Sequence, residues 1–253
     1  MNTEPNSLEP EPELVALSAE ERFQFSCGPG ISCFNHCCQD LIQALTPYDV
    51  LGLRRHLKLA WPHFLEQHAA LYTGPGSGLP VVSLRFAPSR GRRCPFVTPQ
   101  GCSVYSARPT SCRLYPVARA LQRSRQDGRL SEHFALVKEA HCRGFGQGPA
   151  MTVHEWIDGQ GAREGLDASD RLMELIALKN RLRPGRLAPE EEQWVVMAFY
   201  DVERLKQEAA AGRLKGLSGQ PEPPLPAIAD DFAWLNWGLA WVQRALFGEA
   251  RRL

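Results

Sequence analysis

Apolar residues recur at helical spacing over most of the C-terminal half of this chain and at alternate or isolated positions over the N-terminal half. That contrast predicts short strands and hairpins first and helices afterwards. Leu172, Leu175, Ile176, Lys179 and Leu182 fall on one helical repeat, and Pro189 opens a second run through Trp194, Met197, Tyr200, Val202 and Leu205 that ends near Gly212. A Pro-rich linker is expected from Ser218 to Pro226. Beyond it Phe232, Trp234, Leu235, Trp237, Leu239, Trp241, Val242, Leu246 and Phe247 form an aromatic helix, whose burden of apolar surface must pack on the body of the protein or on a protein partner.

Local signals fix several boundaries. Thr46-Pro47-Tyr48-Asp49 supplies an N-cap, a proline at the first helical position and an acid at the third, so a helix should run to about Leu59 and continue or restart over Pro62 to Leu71. Ser18 to Glu21 and Thr152 to Glu155 both fit capping boxes, predicting a short helix before the first cysteine and another carrying Trp156. Val82, Leu84 and Phe86 alternate as a strand would. Thr98-Pro99-Gln100-Gly101 fits a type I turn, which makes a hairpin that could bring Cys94 near Cys102. Asp127-Gly128 separates two candidate strands, Val117 to Gln126 and Arg129 to Val137, with a helix over Val117 to Arg125 as the competitor. Gly144, Gly146 and Gly148 read as loop.

The expected fold class is therefore α+β and helix-rich, with small β-hairpins and cysteine-bearing loops around a metal centre and a helical C-terminal third. Residues 1–20 read as a flexible acidic leader, 21–165 as a cysteine-cluster metal-binding domain, and 166–253 as a helical region packing on it.

Composition narrows the function. The chain has 253 residues, 43% of them hydrophobic, and a formal net charge of +1, so neither nucleic acid nor an anionic membrane surface is an expected partner. The N-terminus lacks a basic and then apolar signal pattern, and no run of about 18 apolar residues is present; the expected location is cytoplasmic. No P-loop, dinucleotide fingerprint or nucleophile elbow occurs, and nothing decides whether the protein is an enzyme.

The eight cysteines all lie between residues 27 and 142: Cys27, Cys33, Cys37, Cys38, Cys94, Cys102, Cys112 and Cys142. In a reducing compartment such crowding points to metal or redox chemistry before disulfides. Four thiolates satisfy a tetrahedral zinc or an iron-sulfur cubane. The wide spacing of Cys27 and Cys33, and the adjacency of Cys37 and Cys38, favour a 4Fe-4S cluster, with zinc as the alternative. His36 and His141 adjoin cysteines and are candidate substitute ligands, or candidate partners in a Cys/His nucleophile pair.

Cys27-x5-Cys33-x3-Cys37-Cys38, then Cys102 to Pro116 with Arg108-Pro109, Cys112-Arg113 and Tyr115-Pro116, then Cys142-Arg143-Gly144, together resemble the YkgJ-type cysteine cluster family. The resemblance covers roughly residues 21 to 160. It implies a zinc- or iron-chelating domain with the eight cysteines as metal ligands and a structural, redox or transferase-supporting role. Part of the pattern is shared with bacterial flagellin lysine N-methylases, which carry an iron-sulfur cluster, so a methyltransferase-like enzyme is a further alternative. Arg108 and Arg113 are expected to donate hydrogen bonds to sulfur or to an anionic ligand, with Tyr105 beside them.

Overall fold

The structure, a computed structural model, describes residues 11–124, 129–214, 225–227 and 229–248. In chain order the elements are β1 (Glu13–Leu17), β2 (Phe23–Phe25), β3 (Ala44–Leu45), α1 (Pro47–Leu57), α2 (Trp61–His68), β4 (Ala69–Thr73) and β5 (Pro80–Leu84). There follow β6 (Val97–Thr98), β7 (Gly101–Cys102), α3 (Thr110–Leu114), β8 (Val117–Arg123), β9 (Leu130–Lys138) and β10 (Phe145–Met151). Helices complete the chain: α4 (Val153–Gly159), α5 (Arg163–Leu182), α6 (Pro189–Tyr200), α7 (Val202–Ala210) and α8 (Asp231–Phe247). The α+β class with small hairpins and a helical C-terminal portion is thus what the chain adopts. No helix among the described residues is long and apolar enough to cross a membrane.

The chain divides into two compact units. The first comprises Met1–Gln39, Phe96–Tyr105 and Thr110–Arg163; the second comprises Asp40–Pro95, Ser106–Pro109 and Glu164–Leu253.

In the first unit β1, β9 and β8 form an antiparallel sheet in that order, while β10 pairs with β2 and β6 with β7. Glu13 to Leu17, read in the sequence as part of the leader, pairs residue for residue with Lys138 to Phe134. The strand reading of β8 and β9 holds over its helical competitor, and the Asp127-Gly128 turn lies outside the described residues. The Ser18 box makes both of its hydrogen bonds, Ser18 N–H to Glu21 Oε2 at 2.6 Å and Glu21 N–H to Ser18 Oγ at 3.3 Å, yet no helix follows. The chain instead extends into β2, where Phe23 and Phe25 are buried. Of the three glycines expected in a loop, Gly144 is in one, whereas Gly146 and Gly148 belong to β10, which bulges between Phe145 and Ala150 with these two at φ +74° and +76°. Left-handed backbone of this kind is open to glycine at little cost.

In the second unit β3, β5 and β4 form an antiparallel sheet. Thr46 caps α1 as expected: its Oγ1 accepts the Asp49 N–H at 3.1 Å, and the Asp49 carboxylate accepts the Thr46 N–H at 3.1 Å. The run expected from Pro189 to Gly212 is two helices, because Asp201 leaves helical geometry (φ −121°, ψ 67°) and its side chain then caps α7. Most of the linker expected over Ser218 to Pro226 lies outside the described residues. Helix α8 packs against α6, α7 and α1, burying Trp234, Trp237 and Trp241. Gly238 allows the approach: a Cβ there would lie 2.8 Å from Leu205 Cδ2 and 3.0 Å from the Ala198 carbonyl. The protein partner expected for this Trp-rich helix is therefore corrected, since its apolar surface is consumed within its own unit.

Candidate functional site

The first unit carries a recess built on an aromatic wall. Phe25, at the end of β2, meets Tyr115, Phe145 and Trp156 edge-on at centroid distances of 5.7, 5.2 and 5.7 Å. The Trp156 indole N–H donates to the Leu114 carbonyl at 2.9 Å, which fastens α4 to the end of α3. The β2 ladder then continues one residue further, through the Ser26 N–H to Gly144 carbonyl bond at 3.0 Å. Gly144 has no room for a side chain, because a Cβ would sit 2.5 Å from the Ser26 carbonyl oxygen. This close approach brings the segments holding Cys27 and Cys142 side by side.

From Gly28 onward the chain coils through successive turns, with N–H to carbonyl bonds Ile31 to Gly28, Phe34 to Ile31, His36 to Cys33 and Cys38 to Asn35. Asn35 takes a left-handed conformation, φ 68°, and its side-chain amide donates to the Thr98 carbonyl at 2.9 Å. The coil is thereby pinned to the β6–β7 hairpin, and Phe34 lies over Gly101. Cys33 and Cys37, four residues apart on this coil, turn to the same side.

Cys27, Cys33, Cys37 and Cys142 line the recess together with Tyr115 and His141. The recess has room for about one water molecule. The Cys33 Sγ accepts the backbone N–H of Arg143 at 3.1 Å. The Tyr115 hydroxyl donates to Glu139 Oε2 at 2.7 Å. His141 stands with its ring 4.4 Å from that of His36 and its Nε2 3.6 Å from Glu139.

All eight cysteines are thiols. Burial first, then the neighbouring Cys37, Cys33 and Cys142 charges, push the Cys27 thiol up to about 11, so these four sulfurs lie within electrostatic reach of one another. Cys37 is driven up too, chiefly by its side-chain hydrogen bond with Cys38 and then by burial. Tyr115 is likewise raised, by burial and by its bond to Glu139.

The remaining expected site residues lie apart from these walls. Cys38 is the hydrogen-bonded neighbour of Cys37. Cys102 sits on β7 opposite Val97, and Cys112 is exposed on α3. Cys94 belongs to the second unit, as does Arg108. Arg113 donates to the Gln160 carbonyl at 2.9 Å, and Tyr105 is 60% exposed. Tyr115 is also a wall of the recess; its position between Cys112 and Pro116 carried no signal of that role.

The expected metal centre is not what these side chains form. Among the described residues no three or more His, Cys, Asp or Glu groups are arranged to hold a metal ion. The 4Fe-4S cluster, the zinc alternative and the metal partner are therefore corrected. The methyltransferase-like alternative rested on the cysteine cluster alone and is withdrawn with it.

No curated protein and no solved structure matches the chain. A family model does match over residues 26–143: CxxCxxCC, described as a "putative zinc- or iron-chelating domain". The spacing in that name is tighter than Cys27-x5-Cys33-x3-Cys37-Cys38. The match ends at Arg143, whose N–H closes the recess on Cys33, so it spans all of the cysteines in this chain, and the segment from residue 26 to residue 143 is similar to the CxxCxxCC family.

Proposed function

We propose that the recess is a thiol–disulfide exchange site, with Cys27, Cys33, Cys37 and Cys142 as its sulfurs and Cys33 with Cys142 as the pair that closes. The observation that carries this reading is the 3.1 Å bond from the Arg143 N–H to Cys33 Sγ. It sets the Cys33 sulfur against the peptide that immediately follows Cys142, while both side chains face the same small volume. Shared lining of one small recess is the arrangement that a disulfide between two loops requires.

Cytoplasmic residence agrees with this reading, because a reducing compartment keeps the thiol form as the resting state. The chemistry is two-electron exchange: two cysteine thiols are oxidised to a disulfide while an external disulfide is reduced to two thiols. The raised Cys27 and Cys37 thiols stay protonated at neutral pH.

The test uses the full chain, reduced and then poised anaerobically against ratios of reduced to oxidised glutathione. After iodoacetamide trapping, peptide mapping should show Cys33 and Cys142 protected together as a linked pair. Alkylation of all eight cysteines at every poise, or glutathione adducts only at Cys112, would overturn the reading.

A further inference from the structure

We propose that the guanidinium of Arg143 selects the substrate of the exchange site, by holding the carboxylate of a small, acid-bearing disulfide beside Cys33 and Cys142. The inference rests on the exchange reading above and deepens it by naming a substrate class. The backbone of Arg143 already serves the site, since its N–H donates to Cys33 Sγ at 3.1 Å. Its side chain is therefore rooted next to that sulfur.

The Nη1 group of Arg143 donates to the Ala140 carbonyl at 2.8 Å and to the Cys142 carbonyl at 3.3 Å. Both acceptors lie on the turn that carries Cys142, which is closed by the Cys142 N–H to Glu139 carbonyl bond at 2.9 Å. A guanidinium has five N–H donors in a planar fork. Anchoring through Nη1 leaves Nε and Nη2, the edge that meets both oxygens of a carboxylate in two parallel bonds. The anchors fix the plane in advance, so binding costs less side-chain entropy than at a freely moving arginine.

The residue is exposed, and no carboxylate among the described residues pairs with it. Glu139, the acid nearest to it in sequence, instead accepts from Tyr115 at 2.7 Å and lies 3.6 Å from His141 Nε2. Lys138, whose ammonium stands 5.8 Å over the Phe145 ring, adds a second positive charge to the same connection between β9 and β10. The recess has room for about one water molecule, so the groups attached to an external disulfide stay outside while its sulfur meets the site. An anionic group a few bonds from that sulfur is attracted by Arg143 and Lys138, and a neutral group gains nothing from them.

The reaction balances as follows. One thiol of the Cys33 and Cys142 pair releases its proton to solvent, and the thiolate attacks a sulfur of the external disulfide. The external S–S bond breaks, one thiolate leaves and takes up a proton, and a mixed disulfide forms. The second sulfur of the pair, its proton also released, then displaces the remaining external thiolate, which is protonated in turn. The pair is oxidised by two electrons and the external disulfide is reduced by two, while the carboxylate held by Arg143 is unchanged throughout.

The experiment measures how fast the linked Cys33–Cys142 pair forms, by quenching and peptide mapping of the full reduced chain. Two disulfides of similar length are compared, anionic dithiodipropionate and neutral hydroxyethyl disulfide, and the readout is the ratio of their rates. A change in thiol reactivity alone alters both rates and cancels in that ratio. Arg143→Gln keeps the backbone N–H on Cys33 and should lower the ratio by about three- to tenfold, whereas Arg22→Ala, which removes a positive charge elsewhere on the first unit, should leave it as in the parent. An unchanged ratio in Arg143→Gln, or an equal fall in Arg22→Ala, would overturn the assignment. If Arg143→Gln lowers the thermal midpoint, the parent chain decides: its ratio should fall as sodium chloride is added, and a ratio indifferent to salt refutes the proposal. A linked pair that forms with both disulfides at a ratio insensitive to residue 143 defeats the role of Arg143 and leaves exchange standing. No linked pair with either disulfide in the parent defeats exchange itself.

Discussion

The Sγ of Cys33 accepts the backbone N–H of Arg143 at 3.1 Å across 110 residues of sequence. This bond joins the coil after β2 to the turn before β10, and it orders the recess before any chemistry takes place. Cys33→Ala should remove it at a cost of about 1 kcal/mol and speed amide exchange at Arg143. Cys33→Ser, whose hydroxyl can accept the same N–H, should retain most of the protection. Equal exchange in both variants and the parent chain would show that the sulfur does not hold the turn.

Gly144 is the second fastening. Gly144→Ala places a Cβ 2.5 Å from the Ser26 carbonyl and 2.7 Å from the Phe25 ring, against backbone that cannot yield as a flexible side chain can. A loss of about 1–3 kcal/mol is expected, measured by urea denaturation. Gly28→Ala meets nothing within 4 Å at an ordinary φ and should be near neutral; matching losses would refute the packing argument.

Alkaline pH should weaken the fold under reducing conditions. Cys27 has a native value of about 11 against an unperturbed 9.0, and Cys37 moves in the same direction. The unfolded chain therefore gives up these protons first as pH rises. Their contribution is complete below pH 9 and is lost between about 9 and 11 for Cys27. The urea midpoint should fall across that window, and Cys27→Ser should flatten the decline. A parent midpoint constant from pH 8 to 10.5 would count against the packed neutral thiols.

In the second unit, Trp241 is 1% exposed on α8 and meets Trp194 at a centroid distance of 6.3 Å. Trp241→Ala should cost about 3–5 kcal/mol in urea denaturation. A loss below about 1 kcal/mol would mean that α8 is not part of that core.

Much of the fold was legible in the sequence where one short signal decides one element. Thr46, Pro47 and Asp49 announced α1, and Thr152 with Glu155 announced α4, because capping is satisfied within four residues. Ser18 and Glu21 misled for the same reason: their reciprocal hydrogen bonds form, but the apolar pair Phe23 and Phe25 is two apart and is claimed by a strand. Gly146 and Gly148 hid a strand because a bulge needs the residues that a loop also favours. The candidate site was half legible. Cysteine crowding located it, but spacing could not reveal that only four sulfurs would share one recess. It also could not show that Tyr115 would complete the wall. Those outcomes depend on the register of β2 with β10 and on the pinning of Asn35 to Thr98, which are long-range pairings with no mark in the local sequence.

The wall beneath the sulfurs has an optical consequence. Trp156 is the single indole of the first unit, the other five tryptophans of the chain falling in the second. It contacts Phe25 directly and is 8% exposed. With those five replaced by phenylalanine, emission from this one ring becomes a native gauge of the sulfur chamber, read in real time and without an attached dye.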